Sequence, residues 1–162
     1  MSRTVHVGID PGVGAGCVAV LFPPGTSPAV QTVRVSDVTL RDLWDYLSSL
    51  RERWPDIRAV IERQTAGAFE HTSKSSSAKL YGSYRELRAL LVAAGIPFEE
   101  KMAGTWQKAL GAPTRVQSRT YHDHKKRLRE MAQSIFPQER VAADDADALL
   151  IAEYCRRTGG AG

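Results

Sequence analysis

Two carboxylates stand where the sequence predicts that strands end. Asp10 ends the alternating segment 4–10, and Glu62 ends the apolar segment 57–62. In each strand the acid falls on the face opposite to the apolar side chains. If the two strands are neighbours, the carboxylates lie about one strand spacing, roughly 4.8 Å, apart. Either acid alone is more typical of a strand-end contact with solvent, so the pair has to be weighed together with the other acids.

A helix predicted over 144–156 carries two more acids. At about 100° per residue, Asp144 and Asp147 share one helical face with Ile151 and Cys155. This apolar face must meet the core, so the acids at its start point inward. A buried carboxylate needs a cationic partner. Few basic residues are nearby in the sequence, which makes a divalent ion the simplest partner.

The four acids supply hard oxygen ligands, and no histidine or cysteine belongs to the set. Oxygen donors suit Mg²⁺ or Mn²⁺ and argue against zinc or copper. Two such ions about 3.5–4 Å apart clamp the attacking and leaving oxygens of a phosphoryl displacement, and one of them activates water. The acids therefore predict a phosphodiester hydrolase with two divalent ions in its site.

Composition indicates one ordinary folded domain, because 43% of the 162 residues are hydrophobic and 25% are charged. We expect this domain to span 1–157, with a flexible tail over 158–162. Cys17 and Cys155 are far apart and have no metal-ligand cluster beside them, which fits a reducing cytoplasm. The longest apolar run, 14–22, is about half of a membrane span, so no membrane partner is expected.

Basic residues are concentrated in one part of the chain. The formal net charge is +4. Residues 101–140 contain nine Lys and Arg residues against three acids, whereas the remainder contains thirteen against fifteen. This segregation favours a surface that faces a polyanion, although a solvated helix face would give the same pattern.

Hydrophobic periodicity predicts the elements that position the acids. Three short strands come first, separated by turn signals at 11–14 and 23–28, which indicates an antiparallel meander. Helical and extended segments then alternate. The order predicts an α/β, RNase H-like fold with a mixed five-stranded sheet flanked by helices. The predicted strands are 4–10, 15–22, 29–35, 57–62 and 96–99, and the main helices are 40–50, 80–91, 119–135 and 144–156.

The acidic segments resemble the three acidic motifs of RuvC-type Holliday junction resolvases, and the variant is similar to the phage-encoded branch of that family. The resemblance covers nearly the whole chain, and its specificity comes from the order and spacing of the motifs together. The segments that carry it are Gly8-Ile9-Asp10-Pro11-Gly12, Ile61-Glu62 and Asp144-Asp145-Ala146-Asp147-Ala148-Leu149-Leu150-Ile151-Ala152, with Thr105-Trp106-Gln107-Lys108-Ala109-Leu110 between them.

The resemblance implies that Asp10, Glu62, Asp144 and Asp147 form a catalytic tetrad that binds Mg²⁺ or Mn²⁺. The consecutive acids leave the third ligand open between Asp144 and Asp145, and the shared helical face favours Asp144. Members of the family are homodimers that bind a four-way junction and cut two strands symmetrically. Branched double-stranded DNA and a second copy of the chain are therefore the expected partners.

The same resemblance suggests residues that contact DNA. The family often has an aromatic residue three positions after the Glu, where this chain has Thr65, and Phe69 further along is the candidate substitute for stacking at the junction. Basic side chains are expected to track phosphates without reading sequence. The candidates are Lys74, Lys79, Arg85, Lys108, Arg119, Lys125 and Lys126.

Three expectations concern side chains outside the acidic motifs. Trp106 is expected in the core rather than under a base. His122 and His124 are expected at the surface, since a metal-activated water needs no histidine. The helix around 80–91 has more leucine than one core face needs, which predicts a dimer interface unless these leucines all pack on the sheet. The leucines concerned are Leu80, Leu87, Leu90 and Leu91.

Two other functions fit the same fold. An RNase H-type nuclease would cut hybrid duplexes or other branched nucleic acid, and would act as a monomer on hybrids. A non-catalytic nucleic-acid-binding domain would need no metal. The four acids argue against a binding domain, because buried negative charge that faces a phosphate weakens binding.

Overall fold

A mixed sheet of five strands organises the chain, which the computed structural model describes over residues 3–12, 14–65 and 74–159. Its strands are β1 Val5–Asp10, β2 Cys17–Leu21, β3 Val30–Arg34, β4 Ile57–Glu62 and β5 Phe98–Lys101. The helices in these ranges are α1 Leu40–Arg53, α2 Lys74–Ala93, α3 Ala103–Leu110, α4 Tyr121–Ile135 and α5 Ala146–Thr158. Short 3₁₀ turns lie at Val35–Asp37 and Arg115–Gln117.

The strand order is β3-β2-β1-β4-β5. β1, β2 and β3 form an antiparallel meander, whereas β4 and β5 join β1 in parallel, each reached through a helical crossover. The predicted fold class is confirmed: this is a mixed five-stranded α/β sheet with helices on its faces. In a parallel pair the carboxyl ends of the strands meet at one edge of the sheet. Asp10 and Glu62, the last residues of β1 and β4, lie at that edge.

Apolar side chains are buried on both faces of the sheet. Val5, Val7 and Ile9 of β1 pack on one face with α1 and α2. The other face is covered by α5, with α3 and α4 packed beside it. Asp10 and Glu62 follow the strand alternation onto the face that carries α5.

The leucines of α2 contribute to the chain's own core. Leu87 and Leu91 are 1% and 0% exposed and belong to the cluster on the α1–α2 face of the sheet. Leu90 packs against the same cluster, and Leu80 is partly buried. The prediction that Leu87 and Leu91 supply a dimer interface is therefore wrong, because the sheet already covers both side chains.

α5 brings a third acid to the sheet and is the most buried helix in the described part of the chain. All its residues from Ala146 to Cys155 are buried. The helix lies so close to β1 that a Cβ atom on Gly8 would be 2.2 Å from the carbonyl oxygen of Ala148 and from the backbone nitrogen of Ala152. Glycine at this position is what permits the contact.

The observed start of α5 differs from the predicted one. The helix begins at Ala146 and ends at Thr158, a residue that the sequence predicts to lie in the tail. Gly159 follows it at a φ of 73°. Asp144 lies in the preceding turn and is exposed. The helical-face argument therefore does not apply to Asp144, because this residue is not part of the helix.

Side-chain burial tests the remaining expectations. Trp106 is fully buried, as predicted for a core residue. His122 is exposed as expected, but the expectation for His124 is wrong, because its ring is buried and lies 3.3 Å from the Ser118 hydroxyl.

Among the described residues no helix is long and apolar enough to span a bilayer.

Candidate active site

Asp10 and Glu62 lie side by side at the carboxyl edge of the sheet. β1 and β4 are parallel neighbours, and their register pairs Ile9 with Ile61, so that the next residue in each strand is the acid. The condition under which the sequence places the two carboxylates about one strand spacing apart, that their strands are neighbours, is therefore met. The backbone N–H of Gly12, in the turn after β1, donates a hydrogen bond of 3.2 Å to Oδ1 of Asp10 and orients that carboxylate.

Asp147 approaches the same edge from above the sheet. It lies in the first turn of α5, where the positive end of the helix dipole favours an acid. The residue is only 8% exposed, and its Oδ1 atom is buried without a hydrogen-bond partner in the described part of the chain. A buried unpartnered carboxylate oxygen is unfavourable, and a bound cation would satisfy it.

The electrostatics of Asp10 place the three acids within interaction range of one another. Burial raises the pKa of the Asp10 carboxyl well above its usual range, and the neighbouring Asp147 and Glu62 carboxylates raise it further. The charge of Lys125 and the hydrogen bond from Gly12 oppose this rise. A rise of this kind is typical of a carboxyl that shares a site with other carboxylates and lacks a sufficient counter-charge.

Glu62 is held by two hydrogen bonds, one from Trp106 of α3 and one from Gln64 just after β4. The indole Nε1–H of Trp106 donates to Oε2 at 2.9 Å, and the Gln64 amide donates to Oε1 at 3.0 Å. Burial raises the pKa of Glu62, the two hydrogen bonds lower it, and the Asp147 charge raises it again. The two donors fix the orientation of the carboxylate at the edge of the sheet.

Lys125 of α4 provides positive charge inside this acidic cluster. Its Nζ atom contacts Oδ2 of Asp147, and the side chain is 32% exposed. Burial alone would lower the pKa of Lys125, but the Asp147 carboxylate outweighs this effect and raises it. Lys125 Nζ also lies 5.8 Å from the ring centroid of Tyr121.

The two acids before α5 have different surroundings. Asp145 accepts a hydrogen bond of 3.1 Å from Nε of Arg34, so it is tied to the end of β3. Burial raises the pKa of the Cys17 thiol, and the Asp145 carboxylate beside it adds to the rise. Asp144 remains exposed in the turn. The side chain of Asp145 is therefore already engaged, whereas Asp144 is open to solvent.

Carboxylate oxygens of the kind that bind divalent cations converge here. Asp10, Glu62 and Asp147 present only carboxylate oxygens, the ligands that Mg²⁺ and Mn²⁺ prefer. Within the described ranges, no three histidine, cysteine or acidic side chains already stand at metal-binding distance from a common point. The unpartnered Oδ1 of Asp147 is the atom that supports a cation at this position.

The predicted DNA-contacting residues are spread over several elements. Lys79 and Arg85 are exposed on α2, Lys108 on α3, and Arg119 just before α4. Lys126 is exposed, and its Nζ atom lies 3.9 Å from Oε1 of Glu130. Lys125, in contrast, contacts Asp147 of the acidic cluster. Lys74 begins α2, but its side chain, like the whole of Phe69, lies outside the described residues.

Sequence reasoning missed the groups that support the acids. The counter-charge for Asp147 comes from 22 positions earlier in the chain, so no local pattern reveals it. The contact between Trp106 and Glu62 spans 44 positions. A fully buried tryptophan must place its N–H against an acceptor, and this requirement is the one sequence-level signal that could have suggested the pairing.

Comparison with known proteins identifies the fold. No family model matches the chain, and no curated protein matches it. Among solved structures, the Thermus thermophilus RuvC structure is similar with a TM-score of 0.58 at 17% sequence identity, over 97% of this chain and 98% of that one. The T. thermophilus RuvC in complex with a Holliday junction substrate is similar with a TM-score of 0.59 at 16% identity, with the same coverage. The chain has the RuvC-like, RNase H-like fold.

Proposed function

We propose that the protein is a metal-dependent, structure-selective DNA endonuclease that resolves four-way junctions by paired, symmetric phosphodiester cleavage. The observation that carries the proposal is the convergence of Asp10, Glu62 and Asp147 at one edge of the sheet, with a buried carboxylate oxygen that lacks a partner. Such a cluster is unfavourable unless a cation binds there. A RuvC-like fold over nearly the whole chain supports the choice of reaction.

The proposed cation ligands are Asp10, Glu62 and Asp147, with Asp144 as the fourth. We prefer Asp144 to Asp145 because Arg34 already engages the Asp145 carboxylate. When bound, two Mg²⁺ or Mn²⁺ ions supply Lewis acidity and a water of lowered pKa for attack on phosphorus. The chain's own part is orientation: Trp106 and Gln64 hold Glu62.

The substrate class follows from charge and from the similar structures. One of the similar RuvC structures is a complex with a Holliday junction substrate, and we extend that substrate to this chain as a proposal. Exposed basic residues on α2, α3 and α4 would contact phosphates and position branched DNA without reading its sequence. The proposed contacts are Lys74, Lys79, Arg85, Lys108, Arg119, Lys125 and Lys126, with Phe69 stacking at the junction.

Two-fold symmetry of a junction requires two active sites in a fixed relation, so we propose an isologous homodimer. The described residues of one 17.8 kDa chain contain one cluster of this kind. Sedimentation at micromolar concentration is expected to show twice this mass without DNA. A monomer that persists with and without junction DNA would contradict paired cleavage.

Cleavage assays on three substrates test the proposed function. A synthetic four-way junction, an RNA–DNA hybrid and a linear duplex are each incubated with and without Mg²⁺. We expect Mg²⁺-dependent, symmetric cuts in the junction and little cleavage of the other two. Preferential cutting of the hybrid would indicate an RNase H-type nuclease, and binding without any cleavage would indicate a non-catalytic domain.

The variants Asp10→Asn and Asp147→Asn show whether the acids do the chemistry. Each substitution removes a metal ligand and also a charge that repels phosphate. We expect cleavage to be abolished while junction affinity stays the same or increases. Parallel loss of binding and cleavage would mean that the acids are structural.

A further inference from the structure

We propose that Lys125 is an internal counterion of the acidic cluster, which a divalent cation must displace from Asp147 when it binds. The proposal rests on the metal site put forward above and concerns how that site is filled. Its basis is that Lys125, from a helix packed beside α5, already contacts one oxygen of Asp147, whose other oxygen is buried without a partner and is the atom proposed to hold the ion.

Lys125 contacts one acid of the cluster and acts electrostatically on two others. Its Nζ atom touches Oδ2 of Asp147, whose carboxylate is only 11% exposed. The charge of Lys125 also acts on the Asp10 and Glu62 carboxyls, where it opposes the upward shift of both pKa values. One ammonium therefore balances part of the charge of three carboxylates.

The two oxygens of Asp147 bring the ammonium and a metal ion into competition. Oδ2 is occupied by Lys125, and Oδ1 is buried without a partner. A cation that binds at Oδ1 would lie within a few ångströms of Nζ, because the two oxygens belong to one carboxylate. Like charges at such a distance repel strongly when little water separates them. Binding of the ion therefore weakens the hold on Lys125, and the reverse holds equally.

Lys125 has a path by which to leave. Its side chain is 32% exposed and carries the charge on a flexible four-carbon stem. Nζ already lies 5.8 Å from the ring centroid of Tyr121, which is 62% exposed at the start of α4. A rotation that breaks the contact with Asp147 and stays near that ring would keep a favourable cation–π interaction for the ammonium.

Mg²⁺ titrations without DNA test the exchange. Thermal midpoints and calorimetric binding are measured for the wild type, Lys125→Met and the matched control Lys126→Met. We expect Lys125→Met to melt lower than the wild type in EDTA, because its acids have lost their counterion. We also expect its half-saturating Mg²⁺ concentration to be lower by roughly tenfold, a typical coupling between two sites. Lys126 pairs with Glu130 instead, so its variant should titrate like the wild type.

Two further measurements keep the test decisive if Lys125→Met folds poorly. Lys125→Arg retains the positive charge. Its half-saturating Mg²⁺ concentration should therefore be close to that of the wild type and higher than that of Lys125→Met. In the wild type, reductive methylation of Lys125 followed by mass spectrometry should increase on Mg²⁺ addition, relative to Lys126. Labelling of Lys125 that is indifferent to Mg²⁺ would overturn the exchange.

The outcomes separate this inference from the proposed function. If the wild type and Lys125→Met respond to Mg²⁺ at the same concentration, the counterion role is overturned and the metal site stands. If neither protein responds at any Mg²⁺ concentration, the metal site itself is overturned and the counterion role with it. A response of Lys125→Met at lower Mg²⁺ than the wild type supports both.

Discussion

Trp106 donates its indole N–H to Oε2 of Glu62 at 2.9 Å, although the ring itself is fully buried in the core. The hydrogen bond joins α3 to the end of β4, two elements that the sequence separates by a helix and a strand. A core side chain therefore orients an acid of the candidate site. Groups that hydrogen-bond to metal ligands orient those ligands and tune metal affinity.

Trp106→Phe tests this orientation. Phenylalanine keeps most of the ring volume and removes the donor, so Glu62 loses the bond that holds Oε2. We expect junction cleavage and Mg²⁺ affinity to fall by about 10–100-fold, the usual range for such outer groups. Trp44→Phe, on α1, is the control and should leave both unchanged. A Trp106→Phe protein that cleaves at the wild-type rate would assign Trp106 to packing alone.

The pair Asp144→Asn and Asp145→Asn decides the fourth ligand. Asp144 is exposed, so its replacement should leave the metal-free thermal midpoint unchanged and abolish cleavage. Asp145 is bound by Arg34 at the end of β3, so its replacement should lower the midpoint and retain most of the activity. Melting curves in EDTA and junction cleavage measure the two effects. The reverse pattern would place the ligand at Asp145.

The metal-free protein should lose stability as pH rises, in part through Asp10. Burial, with the Asp147 and Glu62 charges, raises the pKa of the folded Asp10 carboxyl well above its unfolded value. An acid whose pKa is higher in the folded than in the unfolded protein stabilises the fold at low pH. This contribution is lost as pH rises through the folded pKa. Asp10→Asn removes that loss. The midpoint of the variant minus that of the wild type, in EDTA, should therefore increase between pH 5 and pH 8.

Saturating Mg²⁺ provides the control for this pH dependence. The bound cation compensates the ionised carboxylates, so the wild type should melt higher at neutral pH with Mg²⁺ than without it. Asp10→Asn should show a smaller gain. If the difference in thermal midpoint between Asp10→Asn and the wild type in EDTA does not change with pH, then the pKa of Asp10 is not raised in the folded protein.

The sheet and two of the acids could be predicted because their signals are local. Alternation in β1 and β4 places Asp10 and Glu62 on one face, and the register of the parallel pair makes them neighbours. The fold class followed from the order of the strands and helices. These inferences needed only the period of each segment and the number of connecting residues.

The start of α5 and the side chains that support the acids could not be predicted in the same way. Helical periodicity does not define where a helix begins. The sequence predicts a helix from residue 144, whereas α5 begins at Ala146. The roles of Lys125 and Trp106 depend on how α4 and α3 pack against the sheet. Such contacts are long-range and leave no periodic trace, so only the structure could show them.

Gly8→Ala tests whether the close packing of α5 on β1 determines the position of Asp147 in the candidate site. A Cβ atom at Gly8 would be 2.2 Å from the Ala148 carbonyl oxygen, so α5 must shift or the strand must distort. Overpacking of this kind destabilises by about 1–3 kcal/mol. Asp147 precedes Ala148 on the helix and must move with it. The variant should therefore lose stability and also require more Mg²⁺ for half-maximal stabilisation.

Gly82→Ala is the matched control for this prediction. Gly82 lies within α2, and a Cβ atom there would have no other atom within 4 Å apart from its own helix and neighbours. Alanine in a helix is more favourable than glycine by about 0.5–1 kcal/mol, so this variant should melt slightly higher. Its half-saturating Mg²⁺ concentration should match that of the wild type. Chemical denaturation and Mg²⁺ melts on both variants separate the two effects. A Gly8→Ala protein that is less stable but binds Mg²⁺ normally would show that the contact between α5 and β1 supports the fold without positioning Asp147.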